Sequence, residues 1–222
     1  MFRELLPESI ELVETYDVSS ERELFDEEKR AIGNAVANRR REFSIGRDCA
    51  RRALARFGVQ PAPIPIGLDR APVWPIGFVG SITHCPDFCS AAVAKAEQFS
   101  FLGIDAERVA WPHEIVPSDF LSPSEMDWIA SRQGDESRWE IIFFSLKEAL
   151  YKAWYPAHRC YLDFHDVELS LLSEENPGVV KGRPSLVASN NVLSQENLAR
   201  FLETVQIRFS VENDLVCSAV WG

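Results

Sequence analysis

Five of the chain's thirteen prolines fall between residues 60 and 75, and no other feature limits the fold as strongly. Proline fixes φ and lacks an N–H, so this stretch is extended or turning and cannot lie inside a helix. It separates two kinds of pattern. Before it, from Ser20 to Gly58, Leu24, Ala31, Ile32, Ala35 and Val36, then Cys49, Ala50, Ala53, Leu54 and Phe57, recur at helical spacing, with a break expected near Ser44-Ile45-Gly46. After it, Gly77 to Thr83, Phe88 to Lys95 and Phe101 to Glu107 are short, apolar and bounded by turn formers, which predicts an antiparallel hairpin followed by a third strand.

The same order returns in the second half. Ser122-Pro123-Ser124-Glu125 has the form of a capping box and predicts a helix over about 123–131, and a longer helix covers about Trp139 to Trp154. Asp166 to Leu172 reads as a strand, while Glu203 to Val211 and Leu215 to Trp221 flank Asn213-Asp214 as a terminal hairpin. Phe88-Cys89-Ser90-Ala91-Ala92-Val93 also resembles Val216-Cys217-Ser218-Ala219-Val220, each in the second strand of an expected hairpin after a helical region. The expected fold class is α+β, in two pseudo-symmetric lobes that each pack a small antiparallel sheet against helices. The N-terminal lobe is expected over 1–105 and the C-terminal lobe over 106–222.

Composition narrows the function classes. With 222 residues, 46% hydrophobic and 26% charged, the chain has material for a sizeable core. A net charge of -11 disfavours non-specific adhesion to nucleic acid or anionic lipid. Met1-Phe2-Arg3-Glu4-Leu5-Leu6-Pro7 is charged too early for a signal peptide, and no stretch approaches the roughly eighteen apolar residues of a membrane span, so a cytoplasmic protein is expected. Cys49, Cys85, Cys89, Cys160 and Cys217 are odd in number and scattered, as suits reduced thiols, and His84-Cys85 with Cys89 lacks the second ligand pair that structural zinc needs.

Four features carry candidate chemistry. Between Arg39 and Arg56 stand seven arginines against Glu42 and Asp48, a local reversal of the overall charge. Arg40, Arg47 and Arg51 share a face of a continuous helix, where guanidinium forks suit a polyphosphate; a solvated face is the alternative. Along Gly103-Ile104-Asp105-Ala106-Glu107, strand alternation turns Asp105 and Glu107 to the same side, and a hard divalent cation is the usual neutraliser of such a pair. In Phe143-Phe144-Ser145-Leu146-Lys147-Glu148-Ala149-Leu150-Tyr151-Lys152-Ala153-Trp154, Phe143, Leu146, Leu150 and Trp154 form the buried stripe and Glu148 and Lys152 lie opposite it, an exposed i,i+4 ion pair at its simplest. Lys147 sits at the margin of the apolar arc, where a lysine snorkels or meets a specific anion. Gly80-Ser81-Ile82-Thr83-His84-Cys85 ends a strand with a hydroxyl and an imidazole, a pair able to hydrogen-bond a phosphate.

Together the arginine-rich helix, Ala71-Pro72-Val73-Trp74-Pro75, Ser-Ile-Thr-His, Gly-Ile-Asp-Ala-Glu and Phe-Ser-Leu-Lys-Glu-Ala-Leu-Tyr-Lys-Ala resemble the 4'-phosphopantetheinyl transferases, and most nearly the enterobactin synthase component D branch of the surfactin-type group. The matching motifs span about residues 39 to 154. The resemblance implies a cleft between the lobes that binds coenzyme A as co-substrate and Mg²⁺, with Mn²⁺ as the other candidate. It implies Asp105, Glu107 and Glu148 as metal ligands, and Glu148 and Lys152 as catalytic residues. Arg40, Arg47, Arg70, Thr83, His84, Lys147 and Lys152 would hold the coenzyme. Thr83 stands where Ser is commoner in the family. The implied reaction moves the phosphopantetheine arm to a serine of an apo acyl, peptidyl or aryl carrier protein, releasing 3',5'-ADP; a Mg²⁺-dependent coenzyme A pyrophosphate hydrolase and a non-catalytic coenzyme A-binding module are the alternatives. A monomer is expected, and the segment Trp111 to Trp128, with Ile115, Val116, Phe120, Leu121 and Met126, is a candidate for carrier docking or for ordinary core.

Overall fold

The computed structural model describes the chain except residues 68–69, 111–115, 133–135, 172–178 and 185–191. In chain order its elements are α1 (Phe2–Leu5), β1 (Glu11–Thr15), α2 (Asp26–Ile32), α3 (Ala37–Ala55), β2 (Phe78–Cys85), β3 (Phe88–Lys95), β4 (Leu102–Arg108), α4 (Pro123–Ala130), α5 (Glu136–His158), β5 (Val167–Leu171), β6 (Val179–Pro184), α6 (Val192–Thr204), β7 (Gln206–Glu212) and β8 (Leu215–Trp221). The strands form two antiparallel sheets, β1-β3-β2 and β4-β8-β7-β6-β5.

The two similar segments noted in the sequence are the covered strands of these sheets. From Phe88 to Ala94 every residue of β3 is buried, and so is every residue of β8. Both strands lie between two others, and small or apolar side chains on both faces let helices and the opposite sheet close over them. The turn between β7 and β8 needs two residues at positive φ, which Asn213 and Asp214 adopt at 49° and 61°. Ser122 caps α4 as the sequence indicates, accepting from the Glu125 N–H at 3.3 Å while Glu125 accepts from the Ser122 N–H at 2.8 Å.

Three expectations change. α3 runs unbroken through Ser44–Gly46. A Cβ on Gly46 would stand 2.8 Å from Ile82 Cγ2, so this glycine lets the helix lie close on β2 rather than ending it. The third expected strand, β4, leaves the hairpin and pairs along its whole length with β8, from Leu102↔Trp221 to Arg108↔Leu215. The lobe boundary expected at 105/106 therefore falls inside β4; the sheets divide in the turn between Lys95 and Leu102.

Three apolar clusters hold the fold. One packs α3 against β1 and β3, and one packs α4, α5 and α6 against the larger sheet. The third lies between the sheets and joins Phe2, Ile10, Phe88, Leu102, Ile104 and Trp221, so the halves share a core. At their seam the Ile104 N–H donates to Ser81 Oγ and the Ala106 N–H donates to Thr83 Oγ1, both at 3.0 Å. Side-chain hydroxyls of β2 thereby satisfy edge groups of β4 that would otherwise lack a partner. On the other face of β4, Gly103 admits α5: a Cβ there would lie 2.0 Å from the Ala149 carbonyl oxygen and 2.7 Å from the Ala153 nitrogen.

Candidate active site

The seam and the close approach of α5 set four charged side chains together. Asp105 and Glu107 project from one face of β4, as strand alternation requires, and Glu148 and Lys152 project toward them from successive turns of α5. They line one cleft of about 490 Å³ between the sheets. Asp105 is 2% exposed. Its Oδ1 accepts from Lys152 Nζ at 2.5 Å and from Thr83 Oγ1 at 3.2 Å, while its buried Oδ2 has no hydrogen-bond partner. Lys152 thus pairs with Asp105 across the cleft, which replaces the surface ion pair with Glu148 that the helix spacing alone suggests.

Burial and mutual repulsion govern the titration of this group. Burial, reinforced by Asp105 and Glu148 and opposed by Lys152, pushes the Glu107 carboxyl up to about 8. Glu148 is raised in the same direction, by burial first and by Asp105, against the pull of Lys152. Burial disfavours the Lys152 charge, but Asp105, Glu148 and Glu107 outweigh it and hold the ammonium above its usual range. Three carboxyl groups face one ammonium, too few positive charges for all three to ionise together without a further cation. Among the described residues no three metal-ligating side chains are already gathered to hold an ion. The donors are all oxygens, one of them the unpartnered Asp105 Oδ2, and this set suits a hard divalent cation.

The cationic wall comes from α3 and its neighbours. Arg47 is 5% exposed; its Nε donates to the Ile64 carbonyl at 2.8 Å and its guanidinium lies 4.3 Å from the centre of the Phe43 ring. Burial pushes its pKa down to about 10, with Glu28 opposing, so it stays charged at neutral pH. Arg70 and His84 also line the cleft. Burial lowers His84, with Glu42 opposing and Arg39 assisting, which favours the neutral imidazole. A smaller apolar recess of about 220 Å³, walled by Tyr161, Leu162 and Phe164, adjoins the cleft and shares Glu148 and Tyr151 with it.

Three expected coenzyme contacts are committed elsewhere. Arg40 does not face the cleft: its Nε stands 3.3 Å from Glu21 and its Nη1 donates to the Ala35 carbonyl at 2.9 Å. Lys147 borders the apolar recess, but its buried ammonium is taken up by Glu125 at 2.8 Å and by the Phe120 and Phe164 carbonyls at 2.8 and 2.9 Å, to all of which it donates. The specific anion its position called for is thus Glu125, and the lysine locks α4 and the 164 region to α5. Thr83 lines the cleft, but its hydroxyl is engaged by Asp105 and the Ala106 N–H, so it orients the carboxylate. Arg51, the third arginine of the expected face, donates instead to the fully buried Glu28.

Arg39 and Glu42 were not singled out by sequence reasoning. Arg39 Nη1 lies 3.0 Å from His84 Nε2, and both residues line the cleft. The signal was present: Arg39, Glu42, Phe43, Gly46 and Arg47 follow the i, i+3, i+4, i+7, i+8 pattern of one helical face. Counting arginines alone selects a neighbouring face, because the glycine and phenylalanine that mark the true one carry no charge.

Comparison with known proteins gives the following. The model of the 4'-phosphopantetheinyl transferase N-terminal domain matches residues 27–94, and that of the 4'-phosphopantetheinyl transferase superfamily matches residues 101–214. The 4'-phosphopantetheinyl transferase Svp of Streptomyces mobaraensis is 43% identical over 154 residues, 67% of this chain and 61% of that protein. The 4'-phosphopantetheinyl transferase PptT of Mycobacterium tuberculosis is 35% identical over 198 residues, 87% of this chain and 84% of that one. Enterobactin synthase component D of Escherichia coli K12 is 31% identical over 124 residues, covering 55% of this chain and 58% of its own.

Proposed function

The chain belongs to the 4'-phosphopantetheinyl transferase superfamily, enzymes that transfer the phosphopantetheine group of coenzyme A to carrier proteins, and from that premise we propose how its cleft performs the transfer. One observation carries the reading: the carboxylates Asp105, Glu107 and Glu148 share a single cleft with Lys152, His84 and the arginines Arg39, Arg47 and Arg70. Displacement at phosphorus needs charge neutralisation and alignment more than covalent catalysis, and this cleft offers both signs of charge on opposite walls.

The arginines and His84 bind the phosphate oxygens of coenzyme A and fix the adenosine end. The uncharged pantetheine arm enters the apolar recess beside Glu148, where no phosphate is favoured. The family requires a divalent metal ion in general; here we propose Mg²⁺ or Mn²⁺, held by Asp105, Glu107 and Glu148, which when bound neutralises the pyrophosphate. Lys152, already against Asp105, supports the negative charge that develops on departing 3',5'-ADP. Glu148 accepts the proton of the incoming serine, a role suited to a carboxyl whose burial raises its pKa. The serine Oγ–P bond forms as the bond from phosphorus to the ADP oxygen breaks.

Both walls of the site come from one chain, which supports action as a monomer. All five cysteines are free, which supports a reducing, cytoplasmic setting. No helix among the described residues is long and apolar enough to cross a membrane. In the candidate docking segment, Trp111 and Ile115 lie outside the described residues, Phe120 and Leu121 are core residues, and Met126 packs against the core, leaving Val116 exposed.

The test is incubation with coenzyme A, a divalent ion and an apo-carrier protein. A mass gain of one phosphopantetheine on the carrier supports transfer. Release of 3',5'-ADP without carrier modification would identify a hydrolase, and neither product would leave a binding module. Within the same assay, Arg47→Ala is expected to raise KM for coenzyme A by about ten- to a hundred-fold and to leave kcat near its original value, since a charge-assisted contact away from the breaking bond contributes alike to ground and transition states.

A further inference from the structure

We infer that Glu42 is an internal anion at the phosphate-binding end of the cleft, standing in for a phosphate on Arg39, beside His84, and competing for that guanidinium as 3',5'-ADP leaves. This rests on the transferase reading and gives a release function to a residue that reading does not use. The carboxylate is held in place by Asn38, whose Nδ2 donates to Oε1 at 2.7 Å. Its Oε2 lies 3.5 Å from Arg39 Nη1 and 3.8 Å from His84 Nε2. Both contacts are longer than the roughly 2.7–2.9 Å of a strong charge-assisted hydrogen bond, so a better anion displaces them readily. Glu42 is partly exposed and lines both the cleft and an adjoining groove of about 420 Å³, which also share His84 and Glu107.

Two consequences follow from charge alone. Glu42 holds the Arg39 guanidinium where its Nη1 lies 3.0 Å from His84 Nε2. Once a phosphate occupies that point, the carboxylate remains on the same helix face and repels it, so the product is held less tightly than the Arg39 guanidinium by itself would hold it. Weaker retention favours turnover wherever product departure limits the rate.

Glu42→Gln keeps the shape and the Oε1 that accepts from Asn38 but removes the charge. Titration calorimetry of 3',5'-ADP into the full-length variant is expected to show binding on the order of tenfold tighter than to the parent at low salt, with the difference shrinking as salt is added. Multiple-turnover kcat should fall while the single-turnover rate is kept. Glu42→Asp, which retains a carboxylate, should stay within about threefold of the parent affinity. Equal or weaker binding by Glu42→Gln overturns the inference and makes Glu42 a support for Arg39 and His84; equal tightening by Glu42→Asp overturns it as well. A parent protein that does not bind 3',5'-ADP at all refutes the transferase reading itself, a result distinct from either of these.

Discussion

Glu148→Gln is expected to lower the rate of phosphopantetheine transfer by a factor on the order of 10² or more while coenzyme A binding largely survives. The amide keeps the volume and a neutral oxygen but loses both the negative charge and the ability to take a proton. A surface member of an i,i+4 pair would behave otherwise, costing about 0.3–0.5 kcal/mol in stability and nothing in rate. The lysine that such a pair would use is engaged by Asp105 at 2.5 Å, and Glu148 faces the cleft. Coenzyme A affinity depends on the opposite wall, so it serves as the internal control. Phosphopantetheinylation rate and titration calorimetry on one preparation decide the matter; an unimpaired rate would remove Glu148 from the reaction.

Gly103→Ala is expected to destabilise the protein by about 3 kcal/mol or more, at or beyond the upper end for overpacking. The obstacle is backbone on α5, the Ala149 oxygen and the Ala153 nitrogen, so no side-chain rotation relieves it. In a domain of this size such a loss lowers Tm by roughly 6–12 °C. Because Ala149 and Ala153 are the chain neighbours of Glu148 and Lys152, the helix shift also moves those two side chains away from Asp105, and activity should fall even at temperatures where the variant is folded. Thermal unfolding beside rate measurement tests this. A Tm within about 2 °C of the parent would mean that β4 and α5 separate at little cost.

The parts of the fold legible in the sequence are those governed by local rules. The capping box at Ser122, the Asn213-Asp214 hairpin and the alternation of Asp105 and Glu107 depend on residues a few positions apart. β1 and β6 escaped because their apolar residues lie in short runs that pairing defines; β1, for example, exists as the neighbour of β3, whereas α6 does carry a local signal, Leu198, Phe201, Leu202 and Val205 at i, i+3, i+4 and i+7. The same limit applies to the site. Asp105, Glu107, Glu148, Lys152, Arg47, Arg70 and His84 line the cleft, but the assignment of Arg40 depended on which helix face looks inward. Lys147 stood beside Glu148 in the motif, yet its role was decided by Glu125, twenty-two residues earlier in the chain. Spacing identifies which residues share a face; it does not say what lies opposite.

The hydroxyl seam along β4 bears on how the molecule behaves in company. A strand with free N–H groups at the margin of a sheet is a template on which another chain can pair. Here the Ile104 and Ala106 amides are already engaged by Ser81 and Thr83, which offer no further ladder for a fourth strand to extend. The margin that carries Asp105 is thus closed to intermolecular strand addition. Replacing these hydroxyls with apolar groups would leave two buried amides without a partner, at about 1–3 kcal/mol each, and would release the Asp105 carboxylate that Thr83 holds.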